Sequence, residues 1–137
     1  MSRTPPDSGI RRLLVVDDEP HIGLLLRPQF EALGYRVTLA RTIAEARTAI
    51  TPSPDLVLLD LHLPDGSGLD FLAELRAVPA TRDLKVLILT ADGEDRAAER
   101  AGALRASLFT KPFSPSKLAA RVAALLGDSR LAPEPRP

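Results

Sequence analysis

Asp17 and Asp18 follow the apolar run LLVV, Asp60 follows LVLL, Thr90 follows VLIL, and Lys111 follows LFT. Each run reads as a buried strand, and each is followed by a stretch with helical spacing. In a parallel α/β sheet all strand C-termini share one edge, where such folds build their sites. Residues far apart in sequence should therefore meet in space. Three carboxylates gathered there repel one another unless a cation sits among them. Oxygen ligands without Cys or a set of His ligands suit a hard ion such as Mg²⁺. With a hydroxyl and an ammonium added, the set suits a phosphoryl group.

Taken singly, each of these residues has a plainer reading. Asp17, Asp18 and Glu19 fit a helix N-terminus, where the dipole favours acids. Asp60 fits a loop after a strand, and Thr90 is a β-favouring residue. The two histidines, His21 and His62, lack an i+4 partner and give no His metal motif; His21 reads as a solvated first-turn residue. Gly66 and Gly68 read as turn and helix-start glycines, because no Lys-Ser/Thr follows to make a phosphate-binding P-loop.

The positioning elements alternate strand and helix five times. Strands are expected at 11–17, 35–40, 55–60, 84–90 and 106–110. A helix follows from Pro20 to Leu33, with Gly34 at its C′ position and Pro28 bending it or interrupting one hydrogen bond. Thr42 and Glu45 have capping-box spacing for a helix to Ile50. Ser67, with Asp70 three residues on, opens a third helix to Val78, and Asp92 with Asp95 can cap a fourth over 94–104. Ser114-Pro115 opens the last, with Leu118, Val122, Leu125 and Leu126 on one face; Gly127 ends it. Parallel strands with right-handed crossovers follow. LVLL and VLIL are apolar throughout and belong at the sheet centre; YRVTLA and ASLFT are mixed and belong at its edges.

Length and composition bound the rest. The 137 residues fit one domain. Residues 1–10 read as a flexible N-terminal tail, 11–127 as the folded domain, and 128–137 as a Pro-rich C-terminal tail or linker. No Cys is present, which excludes disulfides and thiolate metal sites. The chain has neither a bilayer-length apolar stretch nor a signal-peptide core, so a cytoplasmic protein is expected. Basic and acidic residues balance at 18 each, which favours neither nucleic acid nor a membrane as partner. The only lysines are Lys85, Lys111 and Lys117, so a rare point charge stands in the candidate site.

Four segments together, LLVVDDEP (13–20), LVLLDLHLPDGSG (56–68), LILTA (87–91) and TKPF (110–113), resemble the receiver domain of two-component response regulators, most simply the single-domain chemotaxis type. The resemblance covers about residues 11–127. It implies a flavodoxin-like, doubly wound α/β fold: a five-stranded parallel sheet of order 2-1-3-4-5 with helices on both faces. It further implies that Asp60 is the phosphoacceptor and that Asp17, Asp18, Asp60 and the backbone carbonyl of His62 hold Mg²⁺. Lys111 would pair with the phosphoryl group, Thr90 would be the switch hydroxyl, and the Lys111-Pro112 bond would be cis. The implied partners are a sensor histidine kinase or histidine phosphotransfer protein and a downstream protein effector, with the chain a monomer or weak dimer. Such a domain is a signalling switch and not an enzyme; its chemistry is limited to its own phosphorylation and slow self-hydrolysis.

Other uses fit less of the sequence. A phosphorelay shuttle, or a receiver belonging to a larger regulator or hybrid kinase, would use the same site. An Asp-nucleophile phosphatase of the haloacid dehalogenase type needs a second Asp two residues after the first, where this chain has His62. A phosphorylation-independent interaction module would not need the full acidic set with Lys111. The chain also departs from the receiver pattern. Leu108 stands where Tyr or Phe is usual, and Phe109 beside it must face the other side of its strand. Leu104-Arg105 replaces the usual Gly-Ala, and Thr90 and Lys111 are one residue closer than is common. The fourth helix and its following loop should therefore be altered.

Overall fold

β1 (Arg12–Val16), β2 (Arg36–Ala40) and β3 (Leu56–Asp60) form in the first half of the chain, followed by a small hairpin of β4 (His62–Leu63) and β5 (Gly66–Ser67). β6 (Lys85–Thr90) and β7 (Ser107–Thr110) complete the strands. The helices are α1 (Pro20–Ala32), α2 (Ile43–Ala49), α3 (Gly68–Ala77), α4 (Asp95–Ala103) and α5 (Pro115–Leu126). The computed structural model describes residues 10–90, 95–111 and 114–127. The expected tails apart from residue 10, the Asp92 cap and the Lys111-Pro112 bond lie outside the described residues. A cis bond does occur at Thr51-Pro52.

The main sheet has the order β2-β1-β3-β6-β7, with every pairing parallel. It is the expected 2-1-3-4-5 order once the hairpin is set aside. The all-apolar runs are central: every residue of β3 and all of β6 after Lys85 are buried. Alternation along each strand divides the core between the two faces. Leu14, Val16, Val57, Leu59, Val86 and Ile88 pack with α2, α3 and α4. Leu13, Val15, Leu56, Leu58, Leu87 and Leu89 pack with α1 and α5. The same alternation separates Leu108, against the first cluster, from Phe109, against the second.

Capping follows the sequence with one difference. The Thr42 hydroxyl accepts from Glu45 N at 3.0 Å, but the Glu45 carboxylate accepts from Arg41 N at 2.7 Å and not from Thr42. The box closes one residue early because Arg41 N is the donor within reach. Helix α1 continues through Pro28, which is exposed, so the bond lost at proline falls on the solvent side. The hairpin β4-β5 was not anticipated, since two-residue strands carry no periodicity to read.

The altered connection after α4 is closed in an unusual way. Arg105 N donates to Gly102 O and Ala106 N to Ala101 O, at 3.0 and 2.8 Å. This Schellman closure puts Arg105, with φ 61°, where glycine is the usual residue. The Arg76 guanidinium braces it. It donates to Leu104 O at 2.7 Å and Arg105 O at 3.3 Å. Across the α3–β6 turn it also donates to Arg82 O at 3.0 Å and Leu84 O at 2.7 Å. One flat fork thus satisfies carbonyls from two loops, a geometry that an ammonium cannot reproduce. Arg76→Lys should lower unfolding stability by about 2 kcal/mol, since charge-assisted bonds to carbonyls are lost. Urea denaturation measures this; an unchanged midpoint would mean that water replaces the fork at no cost.

Candidate functional site

The C-terminal edge of the sheet brings the expected residues together. Asp17 leaves the end of β1, where its N–H donates to Ala40 O at 3.0 Å. Its carboxylate turns back to accept from Glu19 N at 3.0 Å. Asp60 ends β3, and Thr90 ends β6 in the neighbouring position of the sheet. Asp17, Asp60 and Thr90 are buried, at 6%, 8% and 4% exposure, although all three are polar. Asp18 is half-buried.

One carboxylate oxygen from each of Asp17, Asp18 and Asp60 lies within 4.8 Å of the others. Lys111 is the counter-charge. Its Nζ donates to Asp17 Oδ2 at 3.1 Å and lies 3.6 Å from Asp60 Oδ1. It also lies 3.8 Å from Glu19 Oε1. Glu19's share of this lysine was missed, because in sequence Glu19 looks like an ordinary first-turn acid. The bond from Lys111 N to Thr90 O, at 2.6 Å, fixes the lysine's start beside β6.

The charges are unevenly balanced. Burial and the neighbouring Asp17 charge push the Asp60 carboxyl above its ordinary pKa. Lys111 and the backbone N–H groups of His62 and Leu61 pull the other way without cancelling the rise. Burial pulls the Lys111 ammonium down, but the hydrogen bond to Asp17 and the charges of Asp17, Asp60 and Glu19 outweigh it and hold its pKa up. Lys111 therefore stays charged. A partly buried cluster of three acids whose close ammonium leaves a carboxyl still raised is short of positive charge. Oxygen donors at this spacing fit a small hard cation.

The loop after Asp60 is held close to it. Gly68 N donates to Leu61 O at 2.7 Å, and a Cβ on Gly68 would collide with the Asp60 carbonyl oxygen. Gly68 is thus required by the approach of α3 to the end of β3. His62 begins the hairpin with its side chain exposed, and its N–H reaches the Asp60 carboxylate. His21 is exposed on the first turn of α1 and lies 3.9 Å from Glu19. Among the described residues the metal-spaced side chains are those of Asp17, Asp18 and Asp60.

Comparisons with known proteins agree with the geometry. The response regulator receiver domain model matches residues 13–123. The phosphate regulon transcriptional regulatory protein PhoB of Escherichia coli is 40% identical over 118 residues, covering 85% of this chain and 52% of that protein. The alkaline phosphatase synthesis transcriptional regulatory protein PhoP of Bacillus subtilis is 39% identical over 124 residues, covering 89% and 51%. The chain spans about half the length of these curated relatives. Among solved structures, a putative response regulator from Chloroflexus aurantiacus superposes with a TM-score of 0.79 at 32% identity, covering 86% of this chain and 98% of that one. The non-phosphorylated HemR receiver domain of Leptospira biflexa gives 0.73 at 34% identity, covering 93% and 98%. A family match over most of the chain, on a sheet whose C-terminal edge gathers the acids and the lysine, makes this protein a member of the response regulator receiver domain family, a signalling switch of two-component systems.

Proposed function

We propose that Asp60 is the phosphoacceptor and that Asp17, Asp18, Asp60 and the His62 carbonyl hold Mg²⁺ during transfer. The observation that carries this reading is the convergence of three carboxylates and Lys111 on one buried edge. Bound Mg²⁺ would neutralise charge on the carboxylates and on the incoming phosphoryl oxygens. An Asp60 oxygen attacks phosphorus, the bond from phosphorus to the donor breaks, and an acyl phosphate remains on Asp60. Lys111 pairs with a phosphoryl oxygen. The backbone N–H groups after Asp60 are placed to donate to developing charge.

The donor in the cell is a histidine kinase or histidine phosphotransfer protein, and the output partner is a protein. The relatives named as transcriptional regulators are about twice as long as the segment they share with this chain. With no helix among the described residues able to cross a membrane, a cytoplasmic setting fits this reading.

Thr90 serves as the switch, reorienting its hydroxyl onto a phosphoryl oxygen. Its place at the end of β6, next to the Asp60 strand and paired with Thr110 across to β7, supports that role. Leu108 replaces the usual aromatic partner. It is a half-buried residue packed against the cluster of α2, α3 and α4. Without a polar tip or a ring, its inward and outward positions differ less in energy. The switch then rests on contacts that Thr90 gains with the phosphoryl group, since a ligand shifts an equilibrium only by its differential contacts.

Intact-mass measurement with acetyl phosphate tests the chemistry. Wild type should gain one phosphoryl group with Mg²⁺ and none with chelator. Asp60→Asn should gain none, and Thr90→Ala should be labelled but lose phosphorylation-dependent NMR shifts in residues 95–110. Labelling of Asp60→Asn to the wild-type extent would refute the assignment.

A stability measurement tests the charge balance. The folded Asp60 carboxyl has a raised pKa, so its ionised form is disfavoured in the fold. Its contribution is therefore lost as pH rises from the unfolded value of about 4 through the folded value. Asp60→Asn without Mg²⁺ should melt a few degrees above wild type at neutral pH. The gap should close below about pH 4 and shrink when Mg²⁺ is added. A variant no more stable than wild type at pH 7 would contradict the strain assigned to Asp60.

A further inference from the structure

The hairpin after Asp60 carries the His62 backbone and reaches outward to α2. At its tip, Asp65 Oδ1 accepts from Ile43 N at 2.8 Å and Oδ2 from Ala44 N at 3.1 Å. Both oxygens are committed to successive N–H groups in the first turn of α2. Thr42 already accepts from Glu45 N, so the two residues divide the first three donors of the helix. The next residue makes a second contact. Gly66 has a φ of 152°, and a Cβ there would sit 2.9 Å from Ile43 Cδ1. The hairpin backbone therefore lies directly on the buried Ile43 side chain. Helix α2 is fastened in turn to α3, since Arg47 forks onto both Glu74 oxygens at 2.8 Å.

We propose that Asp65 is a positioning residue: by clamping the hairpin tip to α2, it holds the His62 backbone at the phosphorylation site. The proposal rests on the reading of Asp60 and its cation given above. His62 stands at the start of β4 and pairs with Ser67 across the hairpin. Gly68 closes the base of the loop on Leu61, leaving the tip as the end that can swing. Asp65 fixes that end. The Ile43 N–H above all, with help from Ala44 N–H and Arg47, holds the Asp65 carboxyl below its ordinary pKa despite some desolvation, so the clamp stays ionised. Freed from it, the hairpin would hold the His62 carbonyl toward the cation and the His62 N–H on the Asp60 carboxylate for a smaller fraction of the time. Groups that orient a metal ligand commonly change affinity by about 10-fold or more.

The test uses the whole chain as wild type, Asp65→Ala, Asp65→Asn and Thr42→Ala. Mg²⁺ is titrated by NMR at the Asp17, Asp60 and His62 amides, and hydrogen exchange is followed at His62. Asp65→Ala should weaken Mg²⁺ binding about tenfold and speed His62 exchange. Asp65→Asn keeps one acceptor oxygen and should fall between it and wild type; if Asp65→Ala does not fold, this variant decides. Thr42→Ala removes a different α2 cap and should leave the Mg²⁺ midpoint unchanged. At saturating Mg²⁺, phosphorylation by acetyl phosphate should return to within about twofold of wild type, as expected when only binding is lost. An unchanged Mg²⁺ midpoint in folded Asp65 variants would overturn the proposal. So would an equal loss in Thr42→Ala, which would trace the effect to α2 stability. If wild type binds Mg²⁺ but is not phosphorylated, the phosphoacceptor reading fails, while the titration still decides the role of Asp65.

Discussion

Crowding of negative charge at the end of the sheet is the constraint that shapes this molecule. Two unit charges 4.8 Å apart repel by about 3.5 kcal/mol at an effective dielectric of about 20. The buried Asp17 and Asp60 make one such pair within that distance, and the half-buried Asp18 stands beside them. Lys111 answers part of that charge, with its closest contact on Asp17 at 3.1 Å. Asp60 is left with a raised pKa. On the proposed reading, a fold that keeps such a cluster sacrifices stability for a site that attracts a cation and, with it, an anionic phosphoryl group.

Sheet and core make this crowding tolerable. β3 is buried along its whole length between strands on both sides, so the Asp60 backbone is fixed by pairing with β1 and β6. Gly68 lets α3 start against the Asp60 carbonyl, and the hairpin doubles back toward α2. The rigid parts hold Asp17, Asp60 and Lys111 in register. The α4–β7 side differs: its closure depends on a left-handed Arg105 and on the Arg76 fork, not on a glycine. With Leu108 in the usual aromatic place, this side is where the chain has diverged from the common receiver pattern while its acidic edge has kept to it.

Most of the fold was legible in the sequence because its signals are local. Apolar runs marked the five main strands, and their uniformity separated central from edge strands. Ser67, Ser114 and Gly127 marked helix ends by the hydrogen bonds and backbone freedom they supply. The convergence of Asp17, Asp18, Asp60 and Lys111 was legible because strand ends in a parallel sheet share an edge, so position after an apolar run substitutes for distance. What escaped was set by contacts between segments. The hairpin is too short to show a period. Asp65 looks like a turn residue until α2 is placed against it, and Arg76 is one arginine among many until its five carbonyl partners are assembled. Glu19 gained meaning only when Lys111 crossed the sheet edge toward it.

The three carboxylates are proposed to form one cation site. Titrating Mg²⁺ into wild type and Asp18→Ala, followed by NMR shifts at residues 15–19 and 58–62, tests it most directly. Asp18 is the informative choice because it is half-buried and can be removed with little disturbance to the core. Wild type should show saturable shifts and Asp18→Ala an affinity about tenfold or more lower, since a ligand and its charge are lost together. Equal affinity in the two proteins would contradict it and reduce Asp18 to an acid at the start of a helix.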